Sequence, residues 1–286
     1  MTPPVGRELP TRDSRIVLLL VCLAVLIAPW STSVAEEIVD WEEVPVVDEP
    51  SAEWLPTCPS PRLRDDLRAY PHSLWEDTKS IVTLKNGLLL GAGGGLAAYS
   101  ANNWDAEVRQ NTADHARRWG GFNNVFDVIG HPGTQAGIGA TLYGTSLITD
   151  NVPQHEFSCA WLSSLIITDA SVAVLKSAWN TRRPDGGSGG FPSGHTASSF
   201  ASAAVIEEYH GPWIGLGAYT VAGLVSWQRI DGRKHDLSDV IFGAVLGYVV
   251  GKSVAKGHLQ RHESLCLQPY VDHEQGVSGL AIEGRF

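Results

Sequence analysis

Between Lys176 and Asp239 the chain gathers residues that could hold a phosphate and attack it. They fall in three short blocks: Lys176-Ser-Ala-Trp-Asn-Thr-Arg-Arg183-Pro184, then Pro192-Ser193-Gly194-His195, then Arg229 with His235 and Asp239 behind it. A phosphoryl group in transfer spreads negative charge over its equatorial oxygens, so catalysis is mostly positioning and charge stabilisation. Arginine suits this because its planar fork gives an oxyanion two parallel hydrogen bonds, and lysine adds a compact point charge. Lys176, Arg183 and Arg229 therefore form a candidate oxyanion clamp. His235 is a candidate nucleophile, because a neighbouring carboxylate, Asp239, can accept one imidazole N–H and leave the other nitrogen free to attack. His195, on a separate block, is free to act as general acid towards the leaving oxygen.

Positioning these groups is a matter for helices and one loop. His235 and Asp239 are four residues apart, which on a helix puts them on one face. Pro192-Ser193-Gly194-His195 follows the glycine-rich loop Asp185-Gly-Gly-Ser-Gly-Gly190 and precedes Thr196-Ala-Ser-Ser-Phe-Ala-Ser-Ala-Ala-Val, which reads as a helix. Backbone N–H groups at a helix start bind anions, and Gly194 lets the backbone come close.

At these residues the chain resembles the type 2 phosphatidic acid phosphatase superfamily, which also contains bacterial non-specific acid phosphatases and vanadium haloperoxidases. Lys-x6-Arg-Pro, Pro-Ser-Gly-His and Arg-x5-His-x3-Asp occur in the order of that family's three signatures, and the resemblance covers roughly residues 80–255. It implies that Lys176, Arg183 and Arg229 bind phosphate with Ser193 and Gly194 donating. It further implies that His195 is the acid, that His235 forms a phosphohistidine, and that Asp239 orients His235. The family usually places Ser before the third-motif arginine; here that residue is Gln228. An amide still donates to a phosphate oxygen, so retuned binding is expected rather than lost activity.

The implied function is a metal-independent phosphatase of phosphate monoesters, lipid phosphates or diphosphates, with no cofactor and with activity retained in EDTA. The same pocket in a vanadium haloperoxidase would hold vanadate, and a retired scaffold with an envelope role is the non-enzymatic alternative. The histidines do not form a zinc-type Cys/His cluster, and His258 with His262 reads as a surface pair. Asp105, Asp114 and Asp127 are not spaced like a metal cage.

The rest of the chain supplies context. Net charge is −10, which argues against a nucleic-acid partner. Residues 1–35 read as a secretory signal peptide: Arg7, Arg12 and Arg15 precede an apolar run from Ile16 to Ala28, and Ser33-Val34-Ala35 offers a cleavage site. Residues 36–79 read as an acidic, Pro-containing extension, with eight acidic residues and no Lys or Arg from Glu36 to Glu53. Residues 80–256 form the helical phosphatase domain. The expected fold is an all-α bundle of six to seven helices near 80–101, 104–118, 133–149, 157–179, 195–209, 213–228 and 237–256, because period-two alternation is scarce. Asp231-Gly232 supplies a turn before the helix of the nucleophile. Residues 257–286 read as a β-hairpin or extended tail. Among Cys58, Cys159 and Cys266 an oxidising compartment implies one disulfide and one spare thiol, with Cys58–Cys266 the expected pair.

Uncharged runs at Asn86–Trp104, Pro132–Thr149 and Gly211–Gln228 approach spanning length. They are diluted by Gly, Asn, Thr, Ser and Gln, and mean hydropathy is slightly negative. A secreted or periplasmic soluble domain is therefore expected, with an integral membrane protein whose site faces the periplasm as the alternative. Substrate selectivity is expected from the walls near residues 119–122 and 185–191.

Overall fold

The computed structural model describes residues 61–115 and 118–262, and the backbone of residues 266–272 and 277–283. The signal-peptide reading, the acidic lead-in and the Cys58–Cys266 pairing lie outside the described residues and side chains. Cys159 carries a free thiol.

Nine helices occur among the described residues: α1 Leu63–Ile81, α2 Leu84–Asn103, α3 Asp105–Asp114, α4 Phe122–Ile129, α5 Pro132–Thr149, α6 Val152–Ala178, α7 Gly194–His210, α8 Pro212–Asp231 and α9 Leu237–His262. Two strands, β1 Cys266–Asp272 and β2 Val277–Glu283, pair antiparallel beyond them. The seven-helix expectation missed α1 and α4. α1 is rich in charge, carries Pro71 inside it and buries an acid, Asp77, rather than an apolar stripe. Periodicity of apolar residues does not register such a helix.

Asp77 is fully buried. Its carboxylate meets His258 Nε2 at 3.0 Å and accepts from Arg261 Nη2, both on α9. His258 is therefore a buried partner of α1 and not half of a surface pair. Asp66, near the start of α1, accepts from Tyr143 Oη at 2.6 Å and meets His155 Nε2 at 3.0 Å, which ties α1 to α5 and α6.

The centre of the bundle is α9, packed against α7, α2, α6 and α1. Its closest partner is α7, and small residues make that contact possible. A Cβ on Gly247 would lie 2.0 Å from the Ala197 carbonyl oxygen, and one on Gly251 would lie 2.4 Å from that of Ala201. Gly243, Gly247 and Gly251 recur every fourth residue, so they share one face of α9 and let two backbones touch. Apolar clusters flank this seam: Leu142, Phe157, Trp161 and Leu165 on one side, Val172, Leu246, Val250 and Val254 on the other. One chain of buried polar side chains links α6, α7 and α5. Trp161 Nε1 donates to Ser202 Oγ at 2.6 Å, which donates to Gln135 Oε1 at 2.8 Å. Pairing of this kind removes the cost of burying them.

Among the described residues two helices, Val152–Ala178 and Leu237–Arg261, are long and apolar enough to cross a membrane. α1 and α2 pass the same test together, bent by 67° at their junction. Large apolar residues are exposed along α2 (Leu88, Leu89, Leu96) and α8 (Trp213, Ile214, Leu216, Val221). Apolar faces of this extent mark contact with another apolar phase or partner.

Candidate active site

Four helix ends converge at one end of the bundle. α6 ends just after Lys176, α7 begins at Gly194, α8 carries Arg229 in its last turn, and α9 begins at Leu237.

His235 stands before α9 rather than on it, so the expected one-face pair is instead a pair across the helix start. Its Nδ1 lies 3.3 Å from Asp239 Oδ2, and the same oxygen accepts the Asp236 backbone N–H at 3.0 Å. Asp239 thus folds back on the turn that precedes its helix, as acidic side chains do at helix starts. Both residues are buried. With Nδ1 protonated towards the carboxylate, Nε2 carries the lone pair. Burial pulls the His235 pKa down, Asp239 pulls it up, and Lys176 and Arg229 push it down again. The imidazole is therefore held neutral, the form that a nucleophilic role would require.

Two cations of the clamp meet at one atom. The Gly189 carbonyl accepts from Lys176 Nζ at 2.5 Å and from Arg183 Nε and Nη2 at 3.4 Å each. The loop that presents this carbonyl is braced by its own polar groups. Asn180 Oδ1 accepts from Gly189 N at 3.2 Å, and Thr181 Oγ1 accepts from Phe191 N at 2.7 Å. Gly189 has φ +68°, which a side chain would strain.

Arg229 is buried. Its Nη1 donates to Asp127 Oδ1 on α4, and its Nε–H is a buried donor with no acceptor in the protein. Gln228, the departure from the family pattern, is buried beside it, and its Oε1 accepts from Arg229 Nη1 at 3.4 Å. The side-chain carbonyl is therefore turned to the guanidinium.

The Pro-Ser-Gly-His segment differs in detail from the expectation. Ser193 N–H donates to the Asp239 carbonyl at 3.1 Å, and Ser193 Oγ accepts from Thr196 Oγ1 at 3.0 Å. Its backbone amide locks the segment to α9 instead of facing an anion. α7 has no side-chain cap, so its first-turn amides at Gly194 and His195 are the donors left for one.

His195 is largely buried, with its Nε2 3.6 Å from Asp127 Oδ1 and its ring 5.3 Å edge-on from that of His131. Burial, with repulsion from Arg229, His131, His235 and Arg183, lowers its pKa to about 3. It is neutral in the resting protein at neutral pH.

Three contributors were not legible in the motifs. Asp127 bridges Arg229 and His195. Asp105 accepts from Ser238 N at 3.1 Å and Ser238 Oγ at 2.6 Å, capping α9 from α3. Arg109 donates from Nε to Asp236 Oδ1 at 2.6 Å and from Nη2 to Oδ2 at 2.5 Å, pinning the residue next to His235. Asp105 and Arg109 are four apart on α3, a spacing that marks a shared face but does not name its partner.

Asp127 acts through its neighbours. Its carboxylate lies 3.6 Å from His195 Nε2 and accepts from Arg229 Nη1, so it can orient both. Asp127→Asn is expected to lower kcat for an alkyl phosphate by about tenfold and to spare a nitrophenyl ester, whose leaving group needs less protonation. Steady-state rates on the two esters check this; equal losses on both would place Asp127 in structure alone.

Residues 157–263 match the PAP2 superfamily, a span that holds all three motifs but not Asp105, Arg109 or Asp127. The chain is also 40% identical over 106 residues to a lipid A 1-phosphatase of Porphyromonas gingivalis, covering 33% of this chain and 24% of that protein. The chain thus matches about a quarter of the length of this curated relative. The matched segment runs from the core of α6 to the end of α9 and holds Lys176, Arg183, His195, Arg229, His235 and Asp239, so in this part the chain is similar to the PAP2 superfamily.

Proposed function

We propose that this chain is a membrane-embedded phosphatase that hydrolyses lipid phosphates through a phosphohistidine. The observation that carries the reading is a buried, carboxylate-oriented imidazole set among Lys176, Arg229 and Arg183. The name of the relative, a lipid A phosphatase, supports a lipid substrate. Helices long and apolar enough to span support the setting.

Phosphate docks on Lys176, Arg183, Arg229 and the first-turn amides of α7, with Ser193 holding that turn in place. The unpaired Nε–H of Arg229 finds its acceptor in a phosphate oxygen, which removes the cost of leaving a buried donor unmade. His235 Nε2 attacks phosphorus in line. The N–P bond forms, the P–O bond to the lipid breaks, and His195 gives its proton to the departing alkoxide. Water then attacks phosphorus, His195 takes its proton, and the N–P bond breaks to release phosphate. Positive charge comes from the clamp, so no metal is required.

A proton must reach His195 before the first step, because burial and then the surrounding cations keep it neutral in the resting protein. The phosphate monoanion supplies it, and the dianion does not. Expected kcat/KM on nitrophenyl phosphate is therefore highest where the monoanion and neutral His235 coexist. It declines as pH rises through the second phosphate ionisation near pH ~6. It also falls at low pH, where His235, its pKa already depressed, finally takes up a proton.

The test is phosphate release by the purified chain in detergent with EDTA, from nitrophenyl phosphate and from dispersed phosphatidic acid, across this pH range. Release from both with the acid-side optimum supports the reading. Activity abolished by EDTA and restored by a divalent cation overturns the metal-free mechanism.

A further inference from the structure

The two histidines of the site are held in different ways. His235 has an orienting partner, the Asp239 carboxylate 3.3 Å from its Nδ1. Among the described residues, the His195 ring is met by one ion-pair contact and one ring contact, and by no hydrogen bond. Asp127 Oδ1 stands 3.6 Å from its Nε2, longer than a hydrogen bond, so the charge attracts the ring without fixing its angle. A general acid has to meet one particular oxygen, and a misplacement of about 1 Å costs on the order of 10²-fold. Packing must therefore set the plane of this imidazole.

The neighbour that can do so is a second imidazole. The His131 ring lies 5.3 Å from that of His195, centroid to centroid, with the two planes at 84°, an edge-to-face contact. His131 is itself well anchored. Its Nδ1 accepts the Gly133 backbone N–H at 3.0 Å, which caps α5 and ties the ring to its own backbone. Its carbonyl accepts from Thr134 N at 2.9 Å and Gln135 N at 3.1 Å, and Pro132 fixes the next φ. Gly130, just before it, seats the corner between α4 and α5 against α8, because a Cβ there would collide with the buried Val225 side chain. This corner brings two residues to His195, Asp127 from the last turn of α4 and His131 from the cap of α5. Neither lies in the segment that matches the family.

We propose that His131 is a positioning residue for His195: its capped ring is the abutment that keeps the acid imidazole facing the leaving oxygen. The inference rests on the phosphatase reading above, which makes His195 the acid, and adds what orients it. A ring contact suits the task. His195 gives a proton in the first step and takes one in the second, so a hydrogen-bond partner matched to one state is mismatched to the other. An edge-on ring holds the angle in both.

Two substitutions separate the ring from the cap. His131→Asn keeps an acceptor for the Gly133 N–H, since asparagine is a strong N-cap, and removes the ring. His131→Phe keeps an aromatic edge beside His195 and removes the cap. Full chains in detergent are compared with wild type on an alkyl phosphate, whose leaving oxygen needs protonation, and on nitrophenyl phosphate, whose leaving oxygen needs it less. In His131→Asn, kcat on the alkyl ester is expected to fall by about tenfold with KM within about twofold, and to fall several times more than kcat on the nitrophenyl ester. In His131→Phe the melting temperature is expected to drop, while the ratio of the two kcat values stays within about twofold of wild type. A wild-type ratio in His131→Asn, or a ratio lowered as much in His131→Phe, overturns the proposal.

A second measurement separates this inference from the phosphatase reading. The His195 Cε1–H magnetic resonance signal, identified by its absence in His195→Gln, is recorded with inorganic phosphate present. A ring freed from its abutment samples more than one orientation, so the line is expected to broaden or double in His131→Asn. That result supports the abutment even if no ester is hydrolysed. A line in His131→Asn no broader than in wild type overturns it.

Discussion

His235→Ala is expected to lower kcat by about 10⁴-fold or more, because it removes the atom that forms the covalent bond. Affinity for inorganic phosphate should be largely kept, since Lys176, Arg183 and Arg229 do not depend on the imidazole for their positions. Gly189 and Asp127 hold them. Rapid quenching with labelled substrate should trap a phosphorylated wild-type chain, labile to acid and stable to base, and none in the variant. Turnover within an order of magnitude of wild type would sink the nucleophile assignment. Asp239→Asn provides a graded comparison. It keeps an oxygen near Nδ1 but removes the negative charge that supports the imidazolium-like intermediate, so its loss should be substantial and smaller than that of His235→Ala.

Gly247→Val is expected to impair both stability and rate although residue 247 is far along α9 from His235. A Cβ there would stand 2.0 Å from the Ala197 oxygen and 2.9 Å from Ala201 N. These are backbone atoms of α7, which cannot swing aside as a side chain does, so the helices must part. Destabilisation of about 3 kcal/mol is expected from overpacking at a seam of this kind. Function suffers separately, because α7 carries His195 and α9 follows His235. A shift of about 1 Å between them costs on the order of 10²-fold in rate. Thermal unfolding in detergent and the rate on nitrophenyl phosphate measure the two effects. Gly91→Ala is the control: nothing lies within 4 Å of a Cβ at Gly91, so only a gain in helix propensity is expected. If Gly247→Val unfolds and reacts like the control, the α7–α9 seam does not set the distance between acid and nucleophile.

The chemistry was readable along the chain because its ingredients are local. Lys176 and Arg183, Ser193 to His195, and Arg229 to Asp239 lie in short blocks whose residue types already match a phosphate, and the structure places these blocks at converging helix ends. The helices from α5 to α9 were readable for the same reason, as each is a sustained apolar stretch bounded by Gly, Pro or polar residues.

What could not be read there were relationships between distant segments. Nothing in the sequence around Asp127 says that it faces Arg229, 102 positions later. Nothing around Asp77 says that it will be buried against His258, so a histidine pair four apart read as a surface pair and most of α1 fell within the acidic, Pro-containing extension. The glycines of α9 could have meant flexibility; only the approach of α7 shows that they are contact points. Ser193, expected to donate to an anion, spends its amide on Asp239 because that approach puts the carbonyl within reach. Residue type and short spacing thus carried the expectation of phosphate chemistry and the family likeness of the segment that holds it. Tertiary packing alone decided which carboxylates orient the reacting groups, because the role of a carboxylate is defined by what surrounds it, and that comes from other helices.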